Sequence, residues 1–432
     1  MAVQTVEKTN YLAEFEKLKI RDPFTAARQA AMAAFIELGF PTREHEEWKY
    51  TNVEPIVNTS FQFSVPASDP IALQKLEIGN PEWHRLVFVN GIFSKELSSV
   101  SGLPSGVKME SLAAAIKSDS IIAEQYLSKI ADYRTDVFTA LNTAFIQDGA
   151  FIFIPKNAIV EKPIHILNVS HSKSGGIISQ PRNLIVLGEN AQAKVVESYV
   201  SLEDHNYFTN SVTEVVLTAG ANLDYYKDQK ESINAFHVGF LAVHQEKDSR
   251  FYSTSIALGA KLSRNNLSMD LDAQGVECDL KGIYFVTGNQ HVDNHLFVDH
   301  KKPNGTSRQH YKGILDGHAT GAFSGKIWIH KDAQKTDAEQ TNKNLLLSEF
   351  AKVDTKPQLE IFADDVKATH GAAIGQLDED EVFYLRSRGM SDQNARALLT
   401  FGFASELVEK IKLDPIRWEL DRIFWTRLQE RP

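Results

Sequence analysis

Cysteine is almost missing from the sequence, because Cys278 is the only one among 432 residues. A single cysteine cannot close an internal disulfide, and it cannot supply the several thiolates that zinc or iron-sulfur centres usually need. The residues of its segment, ECDLKGIYF, alternate as in a strand, so Cys278 is expected to be buried and unreactive. A thiolate-bound metal centre on this chain therefore requires a second polypeptide.

Basic charge and long apolar runs are also scarce. The 46 lysines and arginines are outnumbered by 56 aspartates and glutamates, which gives a net charge of −10. Such a surface repels phosphate groups, so nucleic acid and anionic membranes are poor candidate partners. No apolar run is long enough to span a membrane, and the segment MAVQTVEKTNYLAEFEKL lacks the apolar core of a signal peptide. We therefore expect a cytoplasmic protein.

The sequence does contain a long series of short strands between two helical ends. From about residue 148, runs such as FIFIP, NLIVLG, TEVVLTAG and KIWIH follow one another for roughly two hundred residues. Strands without intervening helices exclude a doubly wound sheet and leave a sandwich, a barrel or a parallel β-solenoid. The solenoid is favoured because small-residue turns, among them ENAQAKV, AGANLDY and GAFSGKI, each lead back into another strand.

This pattern divides the chain into three domains. We expect a mainly helical N-terminal domain at residues 1–147, a β core at 148–375 and a helical C-terminal domain at 376–432. Within the first domain, RLVFVNGIF predicts a short hairpin. The fold class is therefore mainly β, with helices at both ends.

The C-terminal domain carries clear helix signals. Ser391 can cap one helix, and Asp414, followed by proline, begins another. Trp418 and Trp425 lie seven residues apart on a second side of that last helix. They are either buried within their own domain or part of a docking face.

Histidines cluster in the second half of the β region, where six of the fourteen lie between residues 291 and 330. The run HVDNH contains ligand types found in cupin-like metal sites. On one straight strand, however, His291 and His295 are about 13 Å apart at a rise of about 3.3 Å per residue, which is too far to share one ion. Scattered structural roles are the simpler interpretation, and a cupin-like metal-binding protein remains an alternative.

The segment DDVKATHGAAIG places a single histidine, His370, among small residues. Its glycine and alanine neighbours leave the imidazole unscreened, and Asp364 and Asp365 are close enough in sequence to orient it or to hold a cation. A metal ligand or proton donor needs such access. Composition alone still favours a structural role for His370.

Longer blocks of sequence carry a family resemblance. The block KTDAEQTNKNLLLSEFAKVDTKPQLEIFADDVKATHGAAIG, the run FYLRSRGM and the early segment PTREHEEWKYTNV resemble the SufB/SufD scaffold family of the Suf iron-sulfur cluster assembly system. The resemblance extends from about Pro41 to Leu407. SufB proteins carry cysteines in the β-region and tend to have one where Leu385 stands here, so the chain is more similar to the cysteine-poor SufD branch.

This resemblance implies a right-handed parallel β-helix core flanked by helical domains, in a complex with SufB and the ABC-type ATPase SufC. It implies no enzymatic activity and no cofactor on the isolated chain. In the family, the histidine matched by His370 lies at the SufB interface near a SufB cysteine and is required for cluster formation. We therefore expect His370 to contribute a nitrogen ligand to a transient iron-sulfur cluster shared with SufB, because imidazole can replace thiolate on iron.

The resemblance also implies two interfaces. The strands near Trp328 and Leu359 would supply the sheet edge that pairs with SufB, and the same edge would allow a homodimer of the isolated chain. The C-terminal helices would face SufC. The candidate SufC-facing residues are Phe383, Tyr384, Arg386, Arg388 and Gly389.

An enzyme from another class remains an alternative. Parallel β-helices also serve as carbohydrate-active enzymes, with carboxylates and a basic residue in an open groove. Such enzymes are mostly secreted, whereas this chain is expected in the cytoplasm. Aspartate and glutamate pairs converging on one solvent-facing groove would favour the enzyme, whereas apolar strand edges and His370 at a dimer surface would favour the scaffold.

Overall fold

The computed structural model describes residues 2–63, 79–118, 120–172 and 175–429. The helices are α1 (Ala2–Lys17), α2 (Thr25–Leu38), α3 (Glu54–Val57), α4 (Leu112–Ser118), α5 (Ser120–Tyr126), α6 (Val137–Ala144), α7 (Glu379–Ser387), α8 (Asp392–Val408) and α9 (Asp414–Gln429), with a 3-10 turn at Glu46–Trp48. The strands up to the middle of the chain are β1 (Gln62–Phe63), β2 (His84–Val89), β3 (Ile92–Ser99), β4 (Lys108–Ser111), β5 (Ala150–Ile154), β6 (Ile164–Ser170), β7 (Ile177–Ser179), β8 (Arg182–Leu187), β9 (Gln192–Ser201), β10 (Tyr207–Leu217) and β11 (Asn222–Lys230). The later strands are β12 (Phe236–Gln245), β13 (Arg250–Ala257), β14 (Leu262–Leu271), β15 (Glu277–Val286), β16 (His291–His300), β17 (Thr306–Leu315), β18 (Thr320–Ile329), β19 (Asp337–Leu346), β20 (Lys352–Ile361) and β21 (Lys367–Gly375).

Two sheets form a parallel β-solenoid. The first has the order β20-β18-β16-β14-β12-β10-β8-β5-β4, and the second has the order β21-β19-β17-β15-β13-β11-β9-β6-β2-β3. Strands β5 and β6, and then successive strands from β8 onward, alternate between the two sheets, so that each pair makes one of about eight turns. The predicted mainly β fold with a solenoid core and helices at both ends is confirmed.

One corner of the solenoid explains why its turns have similar sequences. Successive turns each place one residue there in the left-handed backbone region, with φ between 56° and 74°. Asparagine, aspartate and glycine adopt this conformation at low cost, and they occupy all but one of these positions. The corner residues are Asn157, Asn190, Gly220, Asp248, Gly275, Asn304 and Lys335.

The space between the two sheets is filled by side chains from alternate strand positions. Val195, Phe251 and Leu280 of the second sheet meet residues such as Met269 of the first. Cys278 lies in this core and is fully buried, as predicted. Burial raises the pKa of its thiol far above the usual range, so Cys278 is protonated and unreactive.

One predicted turn is wrong. GAFSGKI lies within β18, which pairs with β16 on one side and β20 on the other in the first sheet. A Cβ atom at Gly325 would lie 2.0 Å from Nε2 of Gln340, which projects across the core from β19. Glycine is present here because a side chain of the opposite sheet needs the space, and not because the chain bends.

The predicted hairpin RLVFVNGIF is confirmed as β2 and β3, and it joins the solenoid. Strand β2 pairs in parallel with β6, and β3 adds an antiparallel strand beyond it. Strand β4 likewise pairs antiparallel with β5 in the first sheet. Both sheets therefore end, on this side, in antiparallel strands from the first 147 residues.

A buried ion pair fastens the N-terminal helical segments to the first sheet. Nη2 of Arg182 on β8 lies 2.7 Å from Oε2 of Glu214 on β10, and both side chains are fully buried. Glu214 also accepts hydrogen bonds from the backbone N–H groups of Ser128 and Ile130, at 2.8 and 2.9 Å. Arg182 donates to Oγ1 of Thr143 at 3.0 Å. These partners satisfy both charges inside the protein.

The C-terminal helices cover the outer face of the second sheet. Lys230 on β11 pairs with Glu419 on α9 at 2.5 Å. Arg427 donates to the backbone carbonyls of Leu258 and Phe285, at 2.8 Å each. An apolar cluster of α8, α9 and outward-facing strand residues lies beneath these contacts.

The two predicted C-terminal helix starts are confirmed. Oγ of Ser391 accepts a hydrogen bond from the N–H of Asn394 at the start of α8, and α9 begins at Asp414. Trp418 and Trp425 are 63% and 42% exposed, so neither is in the interior of its domain. Within the described residues, none of the helices is both long and apolar enough to cross a membrane.

Candidate functional site at the open end of the solenoid

The last turn of the solenoid is formed by β20 and β21, which are the outermost strands of the first and second sheets. Each pairs on one side, with β18 and β19 respectively. Among the described strands, none pairs with their other side. The backbone N–H and C=O groups along these two edges are therefore available to another strand.

His370 lies in the middle of β21, opposite Gln340 of β19 in the parallel register. Paired residues of parallel strands point to the same face, and Gln340 is buried between the sheets. His370 accordingly points toward the solenoid interior, but no further turn covers it, and its side chain is exposed. An imidazole in this position can meet a ligand or partner that closes the open end.

The small residues around His370 also have the predicted effect. Gly371, Ala372 and Ala373 follow it along β21 and are exposed. Of the two aspartates considered as partners, Asp365 is instead paired with Lys335 at 2.5 Å, at the corner before the strand. The imidazole is therefore accessible, and Asp365 is not the residue that orients it.

Apolar side chains surround the open end. Ile361 is 40% exposed at the end of β20, Phe362 is 55% exposed just after it, and Ile374 is 48% exposed on β21. The ring of Phe362 packs against that of Trp328 at 5.3 Å between centroids. Leu359 lies on the edge strand itself, and Trp328 lies one strand further in. Exposed apolar residues beside unpaired strand edges are typical of a protein interface.

No group of three or more histidine, cysteine, aspartate or glutamate side chains is placed to hold a metal ion in the described part of the chain. His295 pairs with Glu47 at 2.7 Å, and His330 pairs with Asp299 at 2.8 Å. His300 bonds to Ser307 inside the core at 2.9 Å. His295, His300 and His330 thus have separate protein partners, on both faces of the first sheet.

The candidate SufC-facing residues lie on and just after α7, beyond the last strand. Phe383 and Tyr384 are 70% and 57% exposed. The guanidinium of Arg388 lies 5.3 Å from the Tyr384 ring centroid, and Arg386 is 3.4 Å from Asp392 of α8. Gly389 has a φ of 94°, which ends the helix and lets the chain turn into α8. The exposed rings of Phe383 and Tyr384 lie together on α7, and Arg386, Arg388 and Gly389 follow them toward α8.

Comparison with known proteins identifies the family. A family model described as the SUF system FeS cluster assembly SufBD core domain matches residues 169–403. The chain belongs to the SufBD family. A second model, described as the SufBD protein N-terminal region, matches residues 12–166. The resemblance seen in the sequence blocks is therefore confirmed.

Relatives in this family match nearly the whole chain. It is 36% identical to an iron-sulfur cluster assembly SufBD family protein of Synechocystis over 402 residues, which cover 91% of this chain and 88% of that protein. It is 30% identical to the iron-sulfur cluster assembly protein SufD of Escherichia coli over 423 residues, 96% of this chain and 95% of the relative. Over 326 residues, 73% of this chain and 72% of the relative, it is 28% identical to SufD of Bacillus subtilis.

The N-terminal SufBD segment PTREHEEWKYTNV has a role that sequence reasoning missed. It crosses the outer face of the first sheet. The Glu47 carboxylate contacts His295 of β16, and the centroid of the Trp48 ring lies 3.8 Å from the Arg264 guanidinium of β14. Glu46 pairs with Lys356 on the edge strand β20. The hydrogen bond from His295 lowers the pKa of Glu47 to about 2. A cleft of about 490 Å³ lies between this segment and the sheet.

Proposed function

We propose that this SufBD protein is a non-catalytic scaffold subunit for iron-sulfur cluster assembly, and that His370 supplies one nitrogen ligand to a cluster shared with a SufB partner. One observation carries the proposal. His370 is exposed on β21, whose outer edge pairs with none of the described strands, while the only cysteine of the chain is buried in the core. Clusters usually need several thiolates, and imidazole can replace thiolate on iron. The sulfur ligands would then come from the partner.

The partner would pair with the open end through its own strands. Strands β20 and β21 present ten and nine residues of edge, respectively. Pairing there would satisfy their free backbone groups and cover the apolar side chains Ile361, Phe362 and Ile374. The isolated chain would use the same edge for a homodimer, and SufB would replace the second copy when it is present.

The C-terminal helices would bind the ATPase SufC. The exposed rings of Phe383 and Tyr384 provide apolar contact area, and Arg386, Arg388 and Gly389 complete the surface. Because α7 follows β21 directly in the chain, movement of a bound ATPase would reach the strand that carries His370. ATP hydrolysis would take place on SufC, in the cytoplasm, and this chain would contribute no catalytic group.

The histidine is tested by cluster analysis of the whole complex. The chain is co-expressed anaerobically with its SufB and SufC partners, and iron and acid-labile sulfide are measured on the purified complex. His370→Ala should lose most of the cluster, whereas His205→Ala, in a loop before β10 and several turns away, should retain it. His370→Gln serves as a second variant that keeps a polar side chain of similar length. An intact His370→Ala complex with a full cluster would show that the proposal is wrong.

The ATPase surface is tested separately by co-purification. Tyr384→Ser and Phe383→Ser remove exposed rings, so the fold should be retained. Both variants should lose SufC while still pairing with SufB. Unchanged recovery of SufC with the double variant would contradict the assignment of this surface.

A further inference from the structure

Beneath His370, the interior of the second sheet contains a column of polar residues. Leu280, Gln309, Gln340 and His370 occupy the same register position on β15, β17, β19 and β21. Gln309 and Gln340 are fully buried. Nε2 of Gln340 donates to Oε1 of Gln309 at 2.7 Å. The column thus turns from apolar to polar as it approaches the open end.

Gln340 has one hydrogen-bonding atom left over. Its Oε1 is buried and has no hydrogen-bond partner among the described residues. A buried amide oxygen without a donor is unfavourable, and such atoms in native proteins usually have a reason. The amide nitrogen is already held by Gln309, and close contact with Gly325 restricts the side chain further. Nε2 of Gln309 is also buried without a partner, so in this orientation the two amides together have one unused donor, on Gln309, and one unused acceptor, on Gln340.

His370 is the next residue in this column. Neighbouring strands lie about 4.8 Å apart, so the imidazole is the next side chain above Gln340 in the column. The structure shows no hydrogen bond between the two side chains, so the exposed imidazole must rotate about its side-chain bonds to bring a ring nitrogen to the carbonyl. Within the ring, Nδ1 is the nitrogen nearer the backbone, and Nε2 is at the tip. An N–H at Nδ1 would meet Oε1 of Gln340, and the lone pair of Nε2 would then point out of the open end.

We propose that Gln340 is a positioning residue for His370: its Oε1 accepts a hydrogen bond from Nδ1–H of His370 and so leaves Nε2 free to bind iron. The metal-binding part of this inference rests on the function proposed above, but the contact itself does not. Histidines that bind metals generally donate their other N–H to a carbonyl or carboxylate, which fixes the tautomer and the ring orientation. A buried glutamine does this without adding charge beside the ligand.

The tautomer of His370 tests the contact in the isolated chain, without any cluster. The chain is labelled with ¹⁵N-histidine, the ring signals are observed in long-range ¹H–¹⁵N spectra, and those of His370 are assigned by their loss in His370→Ala. In water the Nε2–H tautomer of histidine is favoured, whereas we expect His370 to be mainly Nδ1–H. Gln340→Met keeps the length of the side chain but removes the acceptor, and it should shift His370 toward Nε2–H.

Two further variants separate positioning from a general structural role. Gln340→Glu retains an acceptor oxygen and should preserve the Nδ1–H tautomer. Gln309→Glu changes the same column one turn deeper but keeps an acceptor for Nε2 of Gln340, so it should also preserve the tautomer, provided that circular dichroism shows an unchanged fold. A wild-type His370 that is mainly Nε2–H, or a tautomer that Gln340→Met leaves unchanged, would overturn the proposal.

The complex then tests the metal-binding part. In the complex with SufB and SufC, Gln340→Met should weaken cluster retention against a chelator by about 10- to 100-fold, as is typical when the hydrogen-bond partner of a metal ligand is removed. If His370→Ala leaves cluster yield unchanged but the tautomer depends on Gln340, then the proposed function fails while the contact stands. If His370→Ala loses the cluster but the tautomer does not depend on Gln340, then only the positioning role fails.

Discussion

Glu214→Gln is expected to be among the most destabilising single changes in the solenoid. The substitution removes the charge that faces Arg182 in a place where both side chains are fully buried. It also replaces one carboxylate oxygen with an NH₂ group, although the backbone N–H groups of Ser128 and Ile130 both require acceptors there. The arginine is left as a buried charge without a counter-ion, and at least one donor loses its acceptor.

The size of the effect follows from burial. Removing one member of a buried ion pair costs about 3–5 kcal/mol in unfolding free energy, because the remaining charge is uncompensated. The surface pair Lys156 and Glu189 has a similar distance, 2.6 Å, but its side chains are 60% and 47% exposed. Exposed pairs contribute about 0–1 kcal/mol, so Glu189→Gln is a matched control that should change stability little.

Equilibrium urea unfolding of the isolated chain, followed by circular dichroism, measures both changes. The double variant Arg182→Met/Glu214→Gln should be more stable than the sum of its single variants predicts, because it leaves no unpaired charge behind. The reasoning is refuted if Glu214→Gln costs no more than Glu189→Gln, or if the two changes at the buried pair are simply additive.

Three further predictions concern other parts of the chain. The hydrogen bond from His295 lowers the pKa of Glu47 from 4.5 to about 2. The contact therefore stabilises the fold above about pH 4.5 and its contribution is lost as pH falls toward 2, so acid unfolding of Glu47→Gln should depend less on pH in that range. Cys278 should not react with a thiol reagent until the chain is unfolded, and Cys278→Ala should leave the cluster content of the complex unchanged, because its buried thiol cannot reach the open end. Gly325→Ala should cost about 1–3 kcal/mol through the clash with Gln340, whereas Gly371→Ala, where nothing lies within 4 Å of the added Cβ, should change stability by less than about 0.5 kcal/mol.

Each of these has a clear contrary result. Equal acid unfolding curves for wild type and Glu47→Gln would show that the contact between Glu47 and His295 does not affect stability. Rapid labelling of native Cys278 would show that the core is open to reagents. Similar urea midpoints for Gly325→Ala and Gly371→Ala would show that Gln340 does not occupy the space beside Gly325.

Local patterns in the sequence were sufficient to predict the architecture. Strand alternation, helix caps such as Ser391 and the hairpin after Arg85 depend on residues close to one another in the chain, and all are found in the structure. The exposure of His370 was also indicated by its small neighbours. In each case the deciding interactions lie within about ten residues, where periodicity and capping rules apply.

Contacts between turns could not be read in the same way. Gly325 resembles a turn residue when only its neighbours are considered, and its real cause, Gln340, lies on the opposite sheet. The partner of Glu47 is His295, which no spacing rule would select. Whether Gln340 lies under His370 depends on the length of every loop between them, since a one-residue change would turn the strand over. Such columns become visible only once the register is known.

The two ends of the solenoid differ in a way that sets a limit on assembly. At one end the sheets finish in β3 and β4, which run antiparallel to their neighbours, and β4 has only four residues. At the other end, β20 and β21 offer long edges of matching length. A solenoid with unpaired strand edges at both ends would add subunits indefinitely and form fibres. With open strand edges at only one end, pairing of two such ends would leave no further edge, so growth by this route would stop at a pair.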